Sequence, residues 1–458
     1  MSDNQAALGT VSRSISFREA TWFWWQLGLI SFGGPAAQLA LMHTELVERR
    51  QWLSERRFLH ALNYAMVLPG PEAQQLATYI GWLMHGVPGG LVAGSLFILP
   101  SLVLLLVLSS IYAFWGQLPL LAAVFWALKP TVTAIVLQAA WRLGQRTLHN
   151  GVLGAIALAA FVGLTLLKLP FPALIGTAAL VGWLGARLRP ELFRSANSHI
   201  PGAHSNGGAP LVSAAIHGDD TPTPVHAHFS RRALALTLLA GGLALAVPLA
   251  LITLLNGWDG VLATMGRFFS RVALVSFGGA YAVLPYVTEE AVNHFHWLTA
   301  SQVIDGLALG ETTPGPLIMV VTFVGYMGGW NTPVFGATGS WVAALAAALT
   351  VTWFTFLPSF VFILAGGPLV EASREDIRLG GPLTAITAAV VGVILNLAVF
   401  FAAHVLWPNG SDGSFELLPL ILICAASWTL LRWRWSVPRL IVVAALIGII
   451  RMALQQLL

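Results

Sequence analysis

Long apolar segments alternate with short polar ones along most of the chain. The pattern predicts membrane crossings over 88–115, 119–141, 150–167, 170–188, 233–255, 335–364, 381–406, 413–431 and 440–457. A helix needs about 20 apolar residues to cross a bilayer, so the shortest of these segments are just long enough. We therefore expect an all-α polytopic membrane protein.

Shorter apolar pieces come in pairs, and glycine and proline interrupt each pair. Residues 19–31 and 36–46 flank a Phe-Gly-Gly break, and residues 56–68 and 72–85 flank a Pro-Gly-Pro break. A piece of about 14 residues reaches only about 20 Å as a helix and cannot cross alone. Each pair therefore forms either a re-entrant hairpin or one crossing helix broken at mid-membrane, and we favour hairpins.

Both breaks recur later in the chain at one constant offset. Ser31-Phe-Gly-Gly matches Ser276-Phe-Gly-Gly, and Pro69-Gly-Pro matches Pro314-Gly-Pro. Further on, "FILPS" at 97–101 matches "TFLPS" at 355–359 after an insertion near 326–345. The two breaks share one register with Trp52-Leu53, which matches Trp297-Leu298, and these three motifs predict a tandem duplication.

The duplication divides the chain into five parts. We expect an N-terminal tail (1–12), a first transporter repeat (13–194, the first half), a linker (195–230), an extra transmembrane helix (231–257) and a second repeat (258–458, the second half). The loop that holds Arg49, Arg50, Arg56 and Arg57 corresponds in the second half to "TEEAVNHFHWLTAS", which has no Lys or Arg. Positive loops mark the cytoplasmic side, so we expect inverted repeats with the N-terminus and linker cytoplasmic and the C-terminus periplasmic.

The linker is rich in Gly, Pro, Ser and His, and we expect it to be flexible and solvated. Its histidines match no metal-binding pattern, so no metal site is predicted; they are His199, His204, His217, His226 and His228. The single cysteine, Cys424, allows no intramolecular disulfide. The polar N-terminus lacks the apolar core of a cleaved signal peptide.

Composition agrees with the apolar pattern. The chain is 57% hydrophobic and only 9% charged, which excludes an ordinary soluble domain. Eighteen Trp suit the aromatic belts of a membrane protein. The net charge of +4 is small and lies in loops, so it indicates topology and not nucleic-acid binding.

The breaks themselves suggest chemistry. A helix interrupted in hydrocarbon leaves backbone groups unpaired, which is tolerated where they line a cavity. A half-helix that starts there points its positive dipole end at the cavity. Four such breaks, two per inverted repeat, would converge near the bilayer centre as a site suited to an anion. The alternative is that Gly-Gly serves only close helix packing.

Four ionisable residues near the breaks or within apolar segments are further candidates. Lys129 lies in the middle of a crossing at a cost of about 2.5–3.5 kcal/mol, so we expect it to face a cavity or a partner. Arg271 either snorkels to the interface or binds an oxyanion with its planar donor fork. Glu72 and Glu311 are either stabilised by a helix dipole or carry a coupling proton.

The motif strings resemble the chromate ion transporter family. The resemblance rests on "SFGGP", "WLSERRFLHALNYAMVLPGPEAQQLATYIGW" and "FILPS", with a weaker second copy from "SFGGAYAVLP" to "TFLPS". Ala280 replaces the proline of the first copy, and Leu317 stands opposite Glu72, so the copies are not equivalent. The signature positions are Phe32, Gly33, Gly34, Pro35, Pro69, Gly70, Pro71, Phe277, Gly278, Gly279, Pro314, Gly315 and Pro316.

This resemblance implies a long-chain, two-domain member in a bacterial inner membrane. Its expected function is export of chromate, driven by the membrane potential or the proton gradient, which confers chromate resistance. Sulfate is the expected competitor. We expect no cofactor, and a homodimer is left open.

Three other functions are alternatives to chromate export. A carrier for sulfate or another oxyanion, and an anion channel, would use the same fold. An intramembrane enzyme is disfavoured because neither His-Glu-x-x-His nor Gly-x-Ser-x-Gly occurs. No Walker sequence for ATP binding is present.

Overall fold

The regular structure is helical almost throughout. A computed structural model describes residues 15–193, 215–218, 221, 224–372, 380–408, 410 and 413–457. Within these ranges there are sixteen α-helices and, apart from one isolated β-bridge, no strand pairing. The all-α prediction is confirmed, and the predicted tail (1–12) lies outside the described residues.

The helices follow the apolar segments closely. In chain order they are α1 (Phe17–Ile30), α2 (Gly34–His43), α3 (Glu55–Val67), α4 (Glu72–Trp115), α5 (Pro119–Thr147), α6 (Gly151–Thr165), α7 (Phe171–Leu188), α8 (Arg231–Asn256), α9 (Val261–Val275), α10 (Ala280–Glu289), α11 (Ala300–Thr312), α12 (Val320–Asn331), α13 (Trp341–Ala372), α14 (Gly380–Leu406), α15 (Leu417–Arg432) and α16 (Val437–Leu457).

Among the described residues, seven helices are long and apolar enough to cross a membrane: α4, α5, α7, α8, α13, α14 and α16. The protein is therefore a polytopic membrane protein. Two predicted crossings, 150–167 and 413–431, are shorter than expected. The helices there, α6 and α15, have 15 and 16 residues and reach only about 23 Å. Helix α6 ends before Leu166 and Leu167, which lie in a turn, and α15 begins only after the non-helical residues 413–416.

Helix α4 is a hairpin of two arms, 72–84 and 87–115. The chain reverses at His85 and Gly86, and Gly86 takes a φ of 66°. A Cβ atom on Gly81 would lie 2.5 Å from the Cβ of Ala93. Small residues thus let the two arms pack closely.

Both pairs of short helices in the first half enter and leave at one end of the molecule. The Phe17 ring, where α1 begins, lies 5.5 Å from the His85 ring, where the first arm of α4 ends. Phe23, early in α1, packs 4.9 Å from Trp52, which lies between α2 and α3. The Phe-Gly-Gly and Pro-Gly-Pro breaks are therefore the inner ends of two re-entrant hairpins.

The described linker residues pack against this same end, which we name the linker end. The amide of His217 donates to the Trp52 carbonyl at 3.0 Å, and His226 Nε2 lies 2.9 Å from the Trp82 carbonyl oxygen. Ala227 is only 1% exposed. The expectation of a solvated linker is therefore wrong for residues 215–218 and Ala227, because unpaired backbone at the hairpin entrance supplies hydrogen-bonding partners, whereas residues 228–230 are exposed as expected.

No group of three or more metal-ligating side chains occurs in the part of the chain that the structure describes. His199 and His204 lie outside the described residues.

The hairpins of the second half enter from the opposite end. Trp297, which follows α10, stacks on Phe269 of α9 at 6.3 Å, and Asn331 at the end of α12 donates to the Trp297 carbonyl at 2.9 Å. Phe114, near the end of α4, packs 4.8 Å from Trp330. We name this the far end, because the second arm of α4 separates it from the linker end by about 40 Å. Which end faces the cytoplasm stays a prediction.

The remaining helices of both halves form one bundle. Helix α14 packs along α5, α6 and α7, and α5 packs along α15 and α16. Small residues again set the spacing: a Cβ on Gly392 would lie 2.0 Å from the Ala157 carbonyl oxygen, and one on Gly448 would lie 2.2 Å from that of Ala123. Helix α8 occupies the predicted extra crossing and packs on α9 and α13.

The docked linker leads to a prediction about pH. Burial lowers the pKa of His217 below its ordinary value of 6.5; Arg57, His85 and His226 lower it further, and Glu371 opposes them. The undocked linker therefore takes up a proton first as the pH falls, so docking is strongest above pH 6.5 and weakens below it. We expect hydrogen exchange at Ile216 and His217, corrected for intrinsic rates, to accelerate on acidification.

His217→Asn should make this exchange independent of pH, whereas His228→Asn, at an exposed linker histidine, should behave as wild type. Equal acceleration in wild type and His217→Asn would contradict the assignment to His217.

Candidate functional site

The four breaks meet in two crossed pairs. The amide of Gly70, in the first Pro-Gly-Pro, donates to the Ser276 carbonyl of the second half at 2.8 Å. The amide of Gly315, in the second Pro-Gly-Pro, donates to the Ser31 carbonyl of the first half, also at 2.8 Å. We name these contacts the Gly70 junction and the Gly315 junction. Each half thus satisfies backbone groups that the other half leaves unpaired.

A serine from the opposite half packs closely against the glycine of each junction. A Cβ on Gly70 would lie 2.2 Å from Ser359 Oγ, and a Cβ on Gly315 would lie 2.9 Å from Ser101 Cβ. These serines end the "TFLPS" and "FILPS" motifs. Gly70 has a φ of 132° and Gly315 a φ of 95°, so a glycine is favoured at both positions on backbone grounds as well.

Glutamine side chains satisfy the freed carbonyls. Gln38 Nε2 donates to the Gly315 carbonyl at 2.5 Å and to the Ser31 carbonyl at 3.2 Å. Gln75 Nε2 donates to the Pro69 carbonyl at 2.7 Å. Neither glutamine was identified as a site residue from the sequence, although a lone glutamine after "GGPAA" in an apolar helix was an available signal for Gln38.

The two junctions differ in their free hydroxyls. At the Gly70 junction, Ser276 Oγ and Ser359 Oγ are buried and find no hydrogen-bonding partner within the described ranges. At the Gly315 junction, Ser31 Oγ donates to the Leu27 carbonyl at 2.6 Å, and Ser101 Oγ lies 3.4 Å from Thr313 Oγ1. The Gly70 junction is therefore the one that retains hydroxyl donors for a ligand.

The signature residues divide by exposure. Phe32 is 42% exposed, and Gly33 and Gly278 are exposed as well. Gly34, Pro35, Pro69 and Phe277 are half-buried; Gly70, Pro71, Gly279, Pro314, Gly315 and Pro316 are buried. The junctions therefore have a buried Pro-Gly-Pro side and a more open Phe-Gly-Gly side.

The two candidate carboxylates lie at opposite kinds of helix end. Glu72 is the first residue of α4, where the dipole favours a negative charge, and it has no hydrogen-bonding partner among the described residues. Glu311 lies in the last turn of α11, where the dipole is unfavourable, and it accepts a hydrogen bond from the Tyr281 hydroxyl. Dipole stabilisation by its own helix therefore fits Glu72 and not Glu311.

Lys129 faces both a cavity and a carboxylate. Its Nζ donates to Ser301 Oγ at 2.5 Å and lies 3.6 Å from Asp305 Oδ2. It borders an open cavity of about 800 Å³ at the far end. Asp305 lies about 10 Å along α11 from the helix end at Thr312, which precedes the Gly315 junction, so the structure places Lys129 away from the junctions instead of at one shared site with them.

Asp305 is a site residue that sequence reasoning missed. It is only 4% exposed, and the Tyr112 hydroxyl donates to its Oδ2 at 2.9 Å. A corresponding hydrogen bond lies at the linker end, where the Tyr79 hydroxyl donates to Glu371 Oε1 at 2.5 Å. Each bond joins a long helix of one half to a hairpin of the other. A single acid inside the apolar "VIDGLALG" was the available signal.

The arginines of α9 have partners outside the junctions. Arg271 is exposed and interacts electrostatically with Glu290. Arg267 stacks over the Trp258 ring at 4.0 Å, a contact typical of an interfacial anchor.

Comparison with known proteins identifies the family. The model of a family described as "Chromate transporter" matches residues 18–183 and 263–449, which together exceed half of the chain. The probable chromate transport protein of Synechococcus elongatus is 28% identical over 98% of this chain and 99% of its own. The chromate transport protein of Cupriavidus metallidurans is 26% identical over 97% and 96%. That of Pseudomonas aeruginosa is 31% identical over 81% and 77%. No solved structure matches the chain.

The Gly70 junction generates a stability prediction. Gly70→Ala should lower the free energy of unfolding by about 2 kcal/mol, because a side chain is strained at this φ and its Cβ overlaps Ser359 Oγ. Melting of the purified protein in detergent measures the change.

Adding Ser359→Gly to Gly70→Ala should restore part of the loss, since it removes the overlapping atom. Gly154→Ala, on α6 with open space around it, is the control and should melt as wild type does. A Gly70→Ala protein that melts like the control would contradict the junction geometry.

Proposed function

The chain belongs to the chromate transporter family, and on that premise we propose that it exports chromate from the cytoplasm as a secondary transporter. The driving force is the membrane potential or the proton gradient, and the outcome for the cell is chromate resistance. Chromate transport is supported by the family match and the chromate transport proteins described above.

The crossed junctions are the observation that carries this proposal. They bring the breaks of both halves together, so that α2, α4 and α10 begin beside them, as does the 3-10 turn Leu317–Met319 that leads into α12. Helix N-termini carry partial positive charge and free amides, which suit an oxyanion. At the Gly70 junction, two serine hydroxyls that have no partner among the described residues add donors for the same ligand.

The membrane potential acts in the direction that favours export of an anion. An anion that leaves an inside-negative cell moves downhill by about 2.3 kcal/mol per charge per 100 mV. A dianion therefore needs no ATP hydrolysis to be exported. Glu72 and Glu311 are the groups we assign to proton coupling, should protons take part.

We assign substrate contacts to the signature residues of both junctions and, at separate positions along the path, to Lys129 at the far-end cavity and to Arg271 on α9. We place the protein in the bacterial inner membrane, with the N-terminus and linker cytoplasmic. Support for a periplasmic C-terminus comes from α16, whose Arg451 stacks over Trp126 near the start of α5 at the far end.

A carrier for sulfate or another oxyanion is the alternative on the same fold, because tetrahedral dianions present the same charge and similar oxygens. An anion channel is a further alternative, which would equilibrate chromate without accumulating it against a gradient.

Uptake of radiolabelled chromate into inside-out vesicles tests the proposal. These vesicles invert the cellular orientation, so export into a lumen held positive gives accumulation. We expect wild type to accumulate chromate, excess sulfate to compete, and Gly33→Val and Lys129→Ala each to reduce the rate at least about tenfold. Gly154→Ala is the control for insertion and should transport as wild type.

Each other outcome is informative. Absence of chromate accumulation by wild type would refute the proposed substrate. Equilibration without accumulation would indicate a channel. Normal rates in Gly33→Val and Lys129→Ala would leave export standing and remove these residues from the site.

A further inference from the structure

The cavity at the far end has the character of an anion vestibule. Its volume is about 800 Å³, ample for a tetrahedral oxyanion. Its walls carry neutral donors, among them Ser301, Gln302 and Asn331, and Lys129 is the one lysine or arginine among its described lining residues. The Lys129 side chain is 28% exposed, so its ammonium group is reachable from the cavity.

A buried carboxylate lies behind this lysine. Asp305 is only 4% exposed. Its Oδ2 accepts a hydrogen bond from the Tyr112 hydroxyl at 2.9 Å and lies 3.6 Å from Lys129 Nζ. Its other oxygen, Oδ1, is buried and has no hydrogen-bonding partner within the described ranges. A buried acceptor left unpaired is costly, and so is an ion pair held beyond hydrogen-bonding distance. The arrangement is therefore a poor structural salt bridge.

We propose that Lys129 binds the transported oxyanion in this vestibule and that Asp305 acts as a tethered anion that competes for the same ammonium group. This assignment rests on the proposed transport of an oxyanion. While the dianion occupies the cavity, it contacts Lys129 and repels the Asp305 carboxylate. When it leaves, Asp305 is the only carboxylate that neutralises the lysine within the described residues.

The competition has a transport purpose. A site along a translocation path must bind strongly enough to admit its ion and weakly enough to release it. A lysine in a partly buried cavity would hold a dianion tightly, because the local dielectric is low. A fixed carboxylate beside it lowers that affinity without blocking the cavity.

The proposal predicts how binding depends on pH. Protonation of Asp305 removes the competitor, so chromate affinity should rise on acidification. Lys129 of α5 and Tyr112 of α4 are the groups that act on the Asp305 carboxylate, while α12, α14 and α16 also pack on α11 but bring no charge to it among the described residues. His296, His404 and Glu416 also line the cavity.

Chromate binding to the purified full-length protein in detergent tests the proposal. The dissociation constants of wild type and Asp305→Asn are compared at the same pH, between about pH 5.5 and 8.5. Chromate itself takes up a proton in this range, but equally for both proteins, so their ratio reports on Asp305. We expect Asp305→Asn to bind at least about tenfold more tightly at the alkaline limit. The ratio should shrink on acidification.

Glu416→Gln is the matched control, since it removes one negative charge from the same cavity without touching Lys129. It should retain the pH dependence of wild type. Equal tightening in Glu416→Gln and Asp305→Asn would overturn the proposal in favour of a general charge effect. So would equal affinities of wild type and Asp305→Asn at every pH.

Two further variants keep the test decisive. Lys129→Gln should weaken chromate binding, and binding at the wild-type level would overturn the assignment of Lys129. Asp305→Ser serves if Asp305→Asn does not fold, because it also removes the charge. Failure of wild type and all variants to bind chromate would refute the proposed function as well, which separates that failure from failure of the Asp305 assignment alone.

Discussion

A helix that stops inside a membrane must find partners for its free amides and carbonyls, and this requirement organises the protein. Gly70 and Gly315 each solve it by donating to a serine carbonyl of the opposite half. Since hydrocarbon offers no alternative partner, the contact between halves is obligatory at these points. Glycine occurs where the two chains approach, and glutamine satisfies the carbonyls that remain.

The same reciprocity recurs at the two ends of the molecule. Tyr112 on the long helix of the first half bonds to Asp305 in a hairpin of the second, and Glu371 on the long helix of the second half bonds to Tyr79 in a hairpin of the first. The two tyrosines do not occupy matching positions of the two repeats, and neither do the two acids. Both hydrogen bonds nevertheless join a long helix of one half to a hairpin of the other. The Lys129 cavity accompanies only the far-end bond, so the two ends differ in what they can bind.

Much of this architecture could be predicted from the sequence. The apolar pattern located the crossings, the motif register located the breaks, and the cost of a lysine in hydrocarbon predicted that Lys129 faces a cavity or partner. The lengths of α6 and α15 could not be predicted, because hydropathy does not show at which residue a helix begins or ends. Asp305, Gln38 and the docked linker depend on contacts between segments far apart in the chain. Residue spacing carries no information about such contacts.

The crossed hydrogen bonds have a consequence for how the protein can be made. Neither half can pair its own breaks, so one half inserted alone would expose unpaired amides within the bilayer. Two separately synthesised halves would have to be produced in equal amounts and meet before either was degraded. A single chain that carries both removes that demand, because the ribosome delivers them in a ratio of one to one.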